Sequence, residues 1–483
     1  MAEPTTSNPP STSPTVIIVG LGIAGLTAAI ECQRRGFTVI GLEKKPDSKQ
    51  LGDLIGLSGN GVQVIARWSH GAVAHALRAT RSNNSSFEIY DIAGDLKGAA
   101  PYDPDDPAQG FVIRRNALVE ALLQEARRLG VDLRYNVSIQ QYWETDREAG
   151  VVTVSRRGGN GEEAQEEREE KLVADAVIAA DGVHSTAREF VLHGAGADNG
   201  SQNDSATIKL RKSGGGIFRS HFDARLCAED EKARWVLEGT EQNDRFRGYM
   251  GKEVGIVMGT TGNGEFVFWT CFHRDTPDSK AESWVQICSV DPVLEYIKDW
   301  PIGEQLSAVI SRTPQGNCFN HLLLTSDPLP TWVSNKSRVM IIGDAAHPTL
   351  PHAGQGANQA IEDAAVVAIS LELAGKKGDI PLGLKVAEKI RHKRATLIQE
   401  GSIVAQEISL KGGFDADNQE DSASTIPRQA WIYLHDCVEY TYKEFERAAA
   451  AVRDVTLVYV PTNVPEDGKY RYVDDFAADK EKK

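Results

Sequence analysis

The sequence predicts an α/β chain in which a parallel, helix-covered sheet is interrupted by an antiparallel sheet and followed by a helical C-terminal region. Three observations carry this. A β-branched run, Val16–Val19, leads through Gly20-Leu21-Gly22-Ile23-Ala24-Gly25 into an amphipathic stretch and a second apolar strand, the pattern of a βαβ unit. From about Ile208 to Cys318 the apolar residues alternate in short segments, as they do in an antiparallel sheet. A buried-strand pattern, Arg338–Ile342, and a long helical pattern, Gly354–Leu373, then return, so the parallel domain resumes beyond the insert.

Taken in order, Ile23–Arg35 reads as a helix with Leu26, Ala29 and Ile30 on one face and Gly36 as its stop, and Phe37–Leu42 as the strand that ends at Glu43. Asn116–Leu129 is an amphipathic helix stopped by Gly130, and Asp132–Tyr135 begins another strand. Val151–Ser155 alternates as a strand and enters a charged run, Arg156–Lys171, expected at a solvated hairpin tip. Leu172–Ala180 reads as one returning strand, and the Gly/Asp/Ser-rich loop Gly194–Ser205 as the entry to the insert. Within the insert, Glu265–Phe272 and Trp284–Val290 are the clearest strands, and near the C-terminus Glu439–Val452 is helical. The expected organisation is a disordered leader over 1–14, a first cofactor-domain part over 15–205, and a β-sheet substrate domain over 206–325. A second cofactor-domain part over 326–410 and a helical region with a charged tail over 411–483 complete it.

The 483 residues, 41% hydrophobic and 25% charged, suit closely packed lobes with a large core. A formal net charge of −15 argues against a nucleic-acid partner, whose phosphates need a basic face. The six cysteines have no CxxC or metal-ligand spacing, which favours reduced thiols and a cytoplasmic location. No secretory signal and no apolar run of spanning length is present. A small-molecule substrate and a monomer or weak dimer are expected.

In Gly20-Leu21-Gly22-Ile23-Ala24-Gly25 the first glycine permits the tight turn, the second lets backbone approach a pyrophosphate, and the third lets helix and strand pack closely. The helix N-terminus supplies N–H groups and a positive dipole end. Glu43 is placed for ribose hydroxyls, with Lys44 beside it. This Rossmann-type unit implies a dinucleotide without choosing between FAD and NAD.

Two further segments make that choice. One is Ala180-Asp181-Gly182-Val183-His184-Ser185 with Arg188. The other is Gly343-Asp344-Ala345-Ala346-His347-Pro348, continuing through Pro351, Gly354-Gln355-Gly356-Ala357-Asn358 and Glu362-Asp363. With these the chain resembles the class A FAD-dependent monooxygenases of the aromatic hydroxylase type. The resemblance implies a Rossmann-like FAD-binding domain with an inserted substrate sheet. It implies that Asp344 and the Asp181-Gly182 pair serve FAD, the latter also the reduced nicotinamide. Arg115, with Arg114 as the alternative, matches an arginine that reaches FAD, and Gly52-Asp53-Leu54-Ile55-Gly56-Leu57 with Asn60 resembles the loop beside the flavin ring. Gly59 stands where a proline is usual. Physically, Asp344 at a strand end is a suitable acceptor for ribityl hydroxyls, or else a helix N-cap. Glycines 354 and 356 open a helix whose bare N–H groups suit negative charge on the flavin.

The implied cycle uses NAD(P)H to reduce FAD, O₂ to form a C4a-hydroperoxide, and transfer of its distal oxygen to an electron-rich carbon. The nearest likeness is to fungal monooxygenases of prenylated indole alkaloids, which epoxidise the indole C2=C3 bond on the way to spiro-oxindoles. Asp53 is the first cue, as an acid beside the flavin that could pair with an ammonium or indole N–H, or else cap a turn. Arg219, on a strand expected to face the ring, is the second, as a group for the opening epoxide, or else a solvent-facing residue. A phenol or polyketide hydroxylase of the same family and a non-catalytic FAD-binding protein are the other readings. No metal is expected: His347 and His352 lack a third ligand. Asp181, His184 and Ser185 share one loop and do not converge as a hydrolase triad would.

Overall fold

The computed structural model describes residues 13–47, 54–103, 105–106, 109–156, 167–193, 210–275, 286–375, 378–411, 428–473 and 475. Most of the expected leader, residues 157–166 of the charged run, the Gly194–Ser205 loop, and Gly52 and Asp53 lie outside the described residues, while Arg156 and Glu167–Lys171 of that run belong to strands rather than to the tip.

Five parallel strands form the cofactor-side sheet in the order Val339–Ile341, Ala176–Ala179, Thr15–Val19, Thr38–Leu42, Asp132–Arg134. The centre is β-branched and dry: Val16, Ile17, Ile18, Val177, Ile178 and Val339 are fully buried, as in a sheet covered on both faces. The helices Ile23–Arg34 and Gly356–Ala374 pack against each other beside it. Gly356–Ala374 is buried almost all round, because the 32-residue helix Ile380–Lys411 and the helix Cys437–Arg453 cover it.

One sequence expectation is corrected here. Leu172–Ala180 is two strands in two sheets. Glu167–Ala174 pairs antiparallel with Ala149–Arg156 in a three-stranded sheet, whereas Ala176–Ala179 joins the parallel sheet. The chain changes partner at Asp175, whose backbone N–H bonds to Thr15 O at 2.9 Å and whose carboxylate accepts from Thr15 N at 2.7 Å. Apolar residues flank Asp175 on both sides, and one charged position within such a run does not by itself distinguish a change of sheet from a single polar site on one strand.

The second large sheet has eight strands, in the order Gln286–Ile287, Phe319–Thr325, Arg211–Asp223, Phe266–Arg274, Val254–Thr261, Phe246–Met250, Ser86–Tyr90, Leu96–Pro101. It is antiparallel except where Phe246–Met250 meets Ser86–Tyr90. Its last two strands come from a part of the sequence expected to belong to the cofactor domain. The period-2 alternation sorts side chains to two faces. Phe218, Phe222, Ile256, Met258, Trp269 and Cys271 form a core with the helices Asp291–Ile297 and Gly303–Ile310. The other set, including Ile217, Arg219, His221 and Phe272, occupies the opposite face. There Ile217 clusters with Leu323 and Leu350, and the Phe272 ring meets His352 in a tilted contact with centroids 4.9 Å apart.

Candidate active site

The glycine turn separates into three tasks. Gly20 lies at φ +88°, and a Cβ there would sit 2.5 Å from Ala180 O. A Cβ on Gly25 would fall 1.8 Å from Gly20 O, so only glycine allows helix and strand to pack this closely. Gly22 has no atom within 4 Å of its Cβ direction: it faces open space at the helix N-terminus. Glu43 is half-buried, and its carboxylate accepts from Leu21 N at 2.9 Å and Lys45 N at 3.0 Å, which fixes its direction and leaves acceptor capacity. Lys44 is exposed.

A cleft between the two large sheets is lined by Val183, His184, His321, Leu322, Asp344 and Pro351, among others. Asp344 is open to that cleft and enclosed by protein on its other sides. Enclosure raises its pKa, against the lowering pull of His347, Arg115 and Arg188. Arg115 opens the helix Arg115–Arg128, and burial lowers its pKa against the field of Asp344. Arg188 Nε donates to Ala345 O at 3.0 Å and its terminal nitrogen to Asp344 O at 3.1 Å, so it clamps the Gly343-Asp344 turn through backbone. The two arginines suggested by sequence diverge: Arg114 lies over the Phe266 ring at 5.2 Å, while Arg115 is the one coupled to Asp344.

Asp181 Oδ2 accepts from Thr186 N at 2.9 Å, and its other oxygen is buried without a protein partner. Gly182 lies at φ +83° with nothing near its Cβ direction. Ser185 Oγ accepts from Arg188 N at 3.2 Å, a local turn bond of no use to a nucleophile. Gly354 lies at φ +63°, again facing open space; Pro351 is exposed, and Gly356 and Ala357 begin the long buried helix. Asn358 is fully buried: its amide donates to Gly56 O and Gly354 O, each at 3.1 Å, and its oxygen accepts from Ser58 N at 3.1 Å. Asn358 therefore stitches the 354–358 turn to the segment beyond Gly52 and Asp53.

Behind this wall lies an ionic cluster that sequence reasoning missed. Arg391 Nε donates to Asp363 Oδ1 at 2.8 Å and its Nη1 to Glu362 Oε2; Arg394 Nε also donates to Glu362 Oε2, at 2.9 Å. All four side chains are fully buried. Burial alone would raise the carboxyl pKa values, but Arg394 and Arg391 hold Glu362 down, and His347 and Arg391 hold Asp363 down. Glu362 also accepts from Asn60 at 2.6 Å, and Asp363 Oδ2 takes Gly343 N at 2.9 Å and His347 Nε2 at 2.6 Å. Arg394 further donates to the carbonyls of Trp431, Ile432 and Asn463. The available signal was Arg391-x-x-Arg394, whose spacing puts two cations on one helix face.

On the facing sheet, Arg219 is buried and its Nε donates to His321 Nε2 at 2.8 Å. Burial lowers its pKa to about 10, so it stays a cation at neutral pH. Because Nε2 accepts, the His321 proton sits on Nδ1.

Residues 13–209 and 331–402 match the family model described as FAD binding domain. The chain belongs to that family. Notoamide E oxidase notB′ of Aspergillus versicolor is 44% identical over 95% of this chain and 94% of its own length. The FAD-dependent monooxygenase notI of Aspergillus sp. (strain MF297-2) is 41% identical over 91% and 93%. Among solved structures, CtdE in complex with FAD and substrate 4 superposes with a TM-score of 0.82 at 39% identity, covering 92% of this chain and 100% of that one. FqzB superposes at 0.80 with 38% identity, covering 95% and 98%. The chain is an FAD-dependent monooxygenase, using NAD(P)H and O₂.

The residues present fit that cofactor. Gly22 and Gly354 leave open space where a Cβ would project, Asp181 keeps a buried oxygen unpartnered, and Asp344 faces the cleft among cations. Among the described residues no group of three or more His, Cys, Asp or Glu could hold a metal ion, and no helix is long and apolar enough to cross a membrane.

Proposed function

We propose that this monooxygenase epoxidises the indole C2=C3 bond of a prenylated indole alkaloid and guides the epoxide to a spiro-oxindole. The observation that carries this reading is Arg219: a buried cation on the sheet face turned to the cofactor side, oriented by a neutral imidazole. Notoamide E oxidase at 44% identity supports the substrate class.

In this reading Glu43 takes the adenosine ribose, while Gly20, Gly22 and Gly25 with the N-terminus of Ile23–Arg34 take the pyrophosphate. Asp344, Asp181, Gly182 and Arg115 border the ribityl chain, and Pro351, Gly354, Gly356, Ala357 and Asn358 shape the wall beside the ring. Lys44 and Gly52 border the adenosine side and the ring loop. Bound FAD supplies an electrophilic oxygen drawn from O₂ after reduction by NAD(P)H. Arg219 then donates a hydrogen bond to the oxygen carried on the substrate. As the epoxide C3–O bond breaks, the carbon substituent on C2 migrates with its electron pair to C3, and the oxygen left on C2 becomes the carbonyl. A guanidinium that stays charged holds that oxygen through the rearrangement without giving up its proton. Asp53 is assigned to the substrate nitrogen on sequence grounds. The proposed setting is the cytoplasm, and the proposed state a monomer or weak dimer.

The test is Arg219→Gln, assayed by mass spectrometry of products formed under ¹⁸O₂ from a panel of prenylated indoles and phenols. The variant should keep FAD and lose about 10²–10³-fold in spiro-oxindole formation. If only phenols incorporate ¹⁸O in the parent enzyme, the indole reading is wrong.

A further inference from the structure

Cys288 and Cys318 are directly opposed across the antiparallel pair formed by the edge strand Gln286–Ile287 and Phe319–Thr325. The register runs Gln286 to Asn320 and Ile287 to Phe319, and Cys288 N donates to Cys318 O at 2.9 Å. A hydrogen-bonded antiparallel pair holds its Cα atoms about 5.5 Å apart, inside the range that a disulfide spans. The two sulfurs are already 3.4 Å apart. Cys288 is half-buried and Cys318 buried. The four remaining cysteines, Cys32, Cys227, Cys271 and Cys437, are buried, and burial pushes each of their thiols up. Cys288 alone is shifted down, by the hydrogen bond with Cys318 and against burial; Cys318 is shifted up by that same bond and by burial. The pair thus joins a half-buried sulfur, within reach of a small oxidant, to a buried thiol close enough to resolve it.

We infer that Cys288 and Cys318 form an oxidisable dithiol, which hydrogen peroxide closes into a cross-strand disulfide. In the first step Cys288 sulfur attacks peroxide: an S–O bond forms, the O–O bond breaks, and the departing hydroxide takes up a proton to leave as water. In the second, Cys318 sulfur attacks the sulfenic acid: the S–S bond forms, the S–O bond breaks, and a second water leaves with the Cys318 proton. Two thiols are oxidised by two electrons and one peroxide is reduced. The bridge pins the edge strand to the strand that carries His321, the partner of Arg219.

The experiment uses the full-length FAD-loaded enzyme, treated with hydrogen peroxide without substrate, then alkylated, digested and mapped by mass spectrometry. The expected result is a loss of two hydrogens in mass, two fewer alkylatable thiols and a peptide linking Cys288 to Cys318, all reversed by dithiothreitol. Cys288→Ser and Cys318→Ser should each abolish the linked peptide. Cys288→Ser is the safer variant, because position 288 lies outside the fully packed core, and retained FAD absorbance verifies its fold. Full alkylation of both thiols after peroxide would overturn the proposal. So would sulfinic acid at Cys288 without a link, or a link from Cys318 to Cys271.

Discussion

The two walls of the cleft handle charge in opposite ways. On the cofactor side, Glu362, Asp363, Arg391 and Arg394 form a closed, fully buried set in which every charge has at least one opposite partner. On the sheet side, Arg219 is buried with a neutral imidazole as its hydrogen-bond acceptor. A closed set holds loops in one place: it fixes Gly343 through Asp363 and Asn60 through Glu362. The comparison teaches that the cofactor wall is held by opposed charges, whereas the sheet wall orients its buried cation through a ring nitrogen.

Removing one member of the closed set should have the largest effect. Arg391→Met leaves Glu362 and Asp363 short of a counter-charge in the interior, at a cost of roughly 3–5 kcal/mol. Chemical denaturation should register that loss together with release of FAD. A stable, FAD-loaded Arg391→Met would break the contrast between the walls. Arg219→Gln should do the reverse, keeping FAD and stability and losing product formation.

A sharper test lies within the glycine turn. Gly25→Ala drives a Cβ into Gly20 O and should prevent the fold, whereas Gly22→Ala meets no protein atom. Gly22→Ala should therefore keep the thermal stability of the apo-protein and lower FAD affinity, measured by fluorescence titration.

The smallest effect is the acid response. Glu362 and Asp363 have depressed folded-state pKa values, so their stabilisation is present above the ordinary carboxylate range and lost as pH falls below about 4. Melting temperature against pH should drop more steeply in the parent than in Glu362→Gln. Parallel curves would remove these carboxylates from the account.

How much of this was legible in sequence depended on how local each constraint is. Gly20, Gly22 and Gly25 act within one turn, so their spacing suffices. Glu43 follows from the strand end that places it. Arg219 was reachable because alternation sorts a strand to two faces. Its partner His321 was not, since strand pairing between Arg211–Asp223 and Phe319–Thr325 is set by the tertiary fold. Arg391 and Arg394 were missed for the same reason: a charged pair on a helix usually faces water, and only packing of Ile380–Lys411 on Gly356–Ala374 buries this one. The partner switch is marked in the hydrophobicity pattern only by the single charge of Asp175 within an apolar run.

The parallel sheet also dictates how this chain must be made. Val339–Ile341 is hydrogen-bonded to Ala176–Ala179, yet six of the eight strands of the antiparallel sheet are synthesised between them. The cofactor sheet of a nascent chain therefore keeps an open apolar edge until residue 341 has left the ribosome, a non-local closure that is slow and exposed to aggregation. The meander Val137–Ala174 needs no such wait, because its three strands are neighbours in sequence. Yield during expression should thus hinge on how quickly the second half arrives, rather than on the stability of the finished molecule.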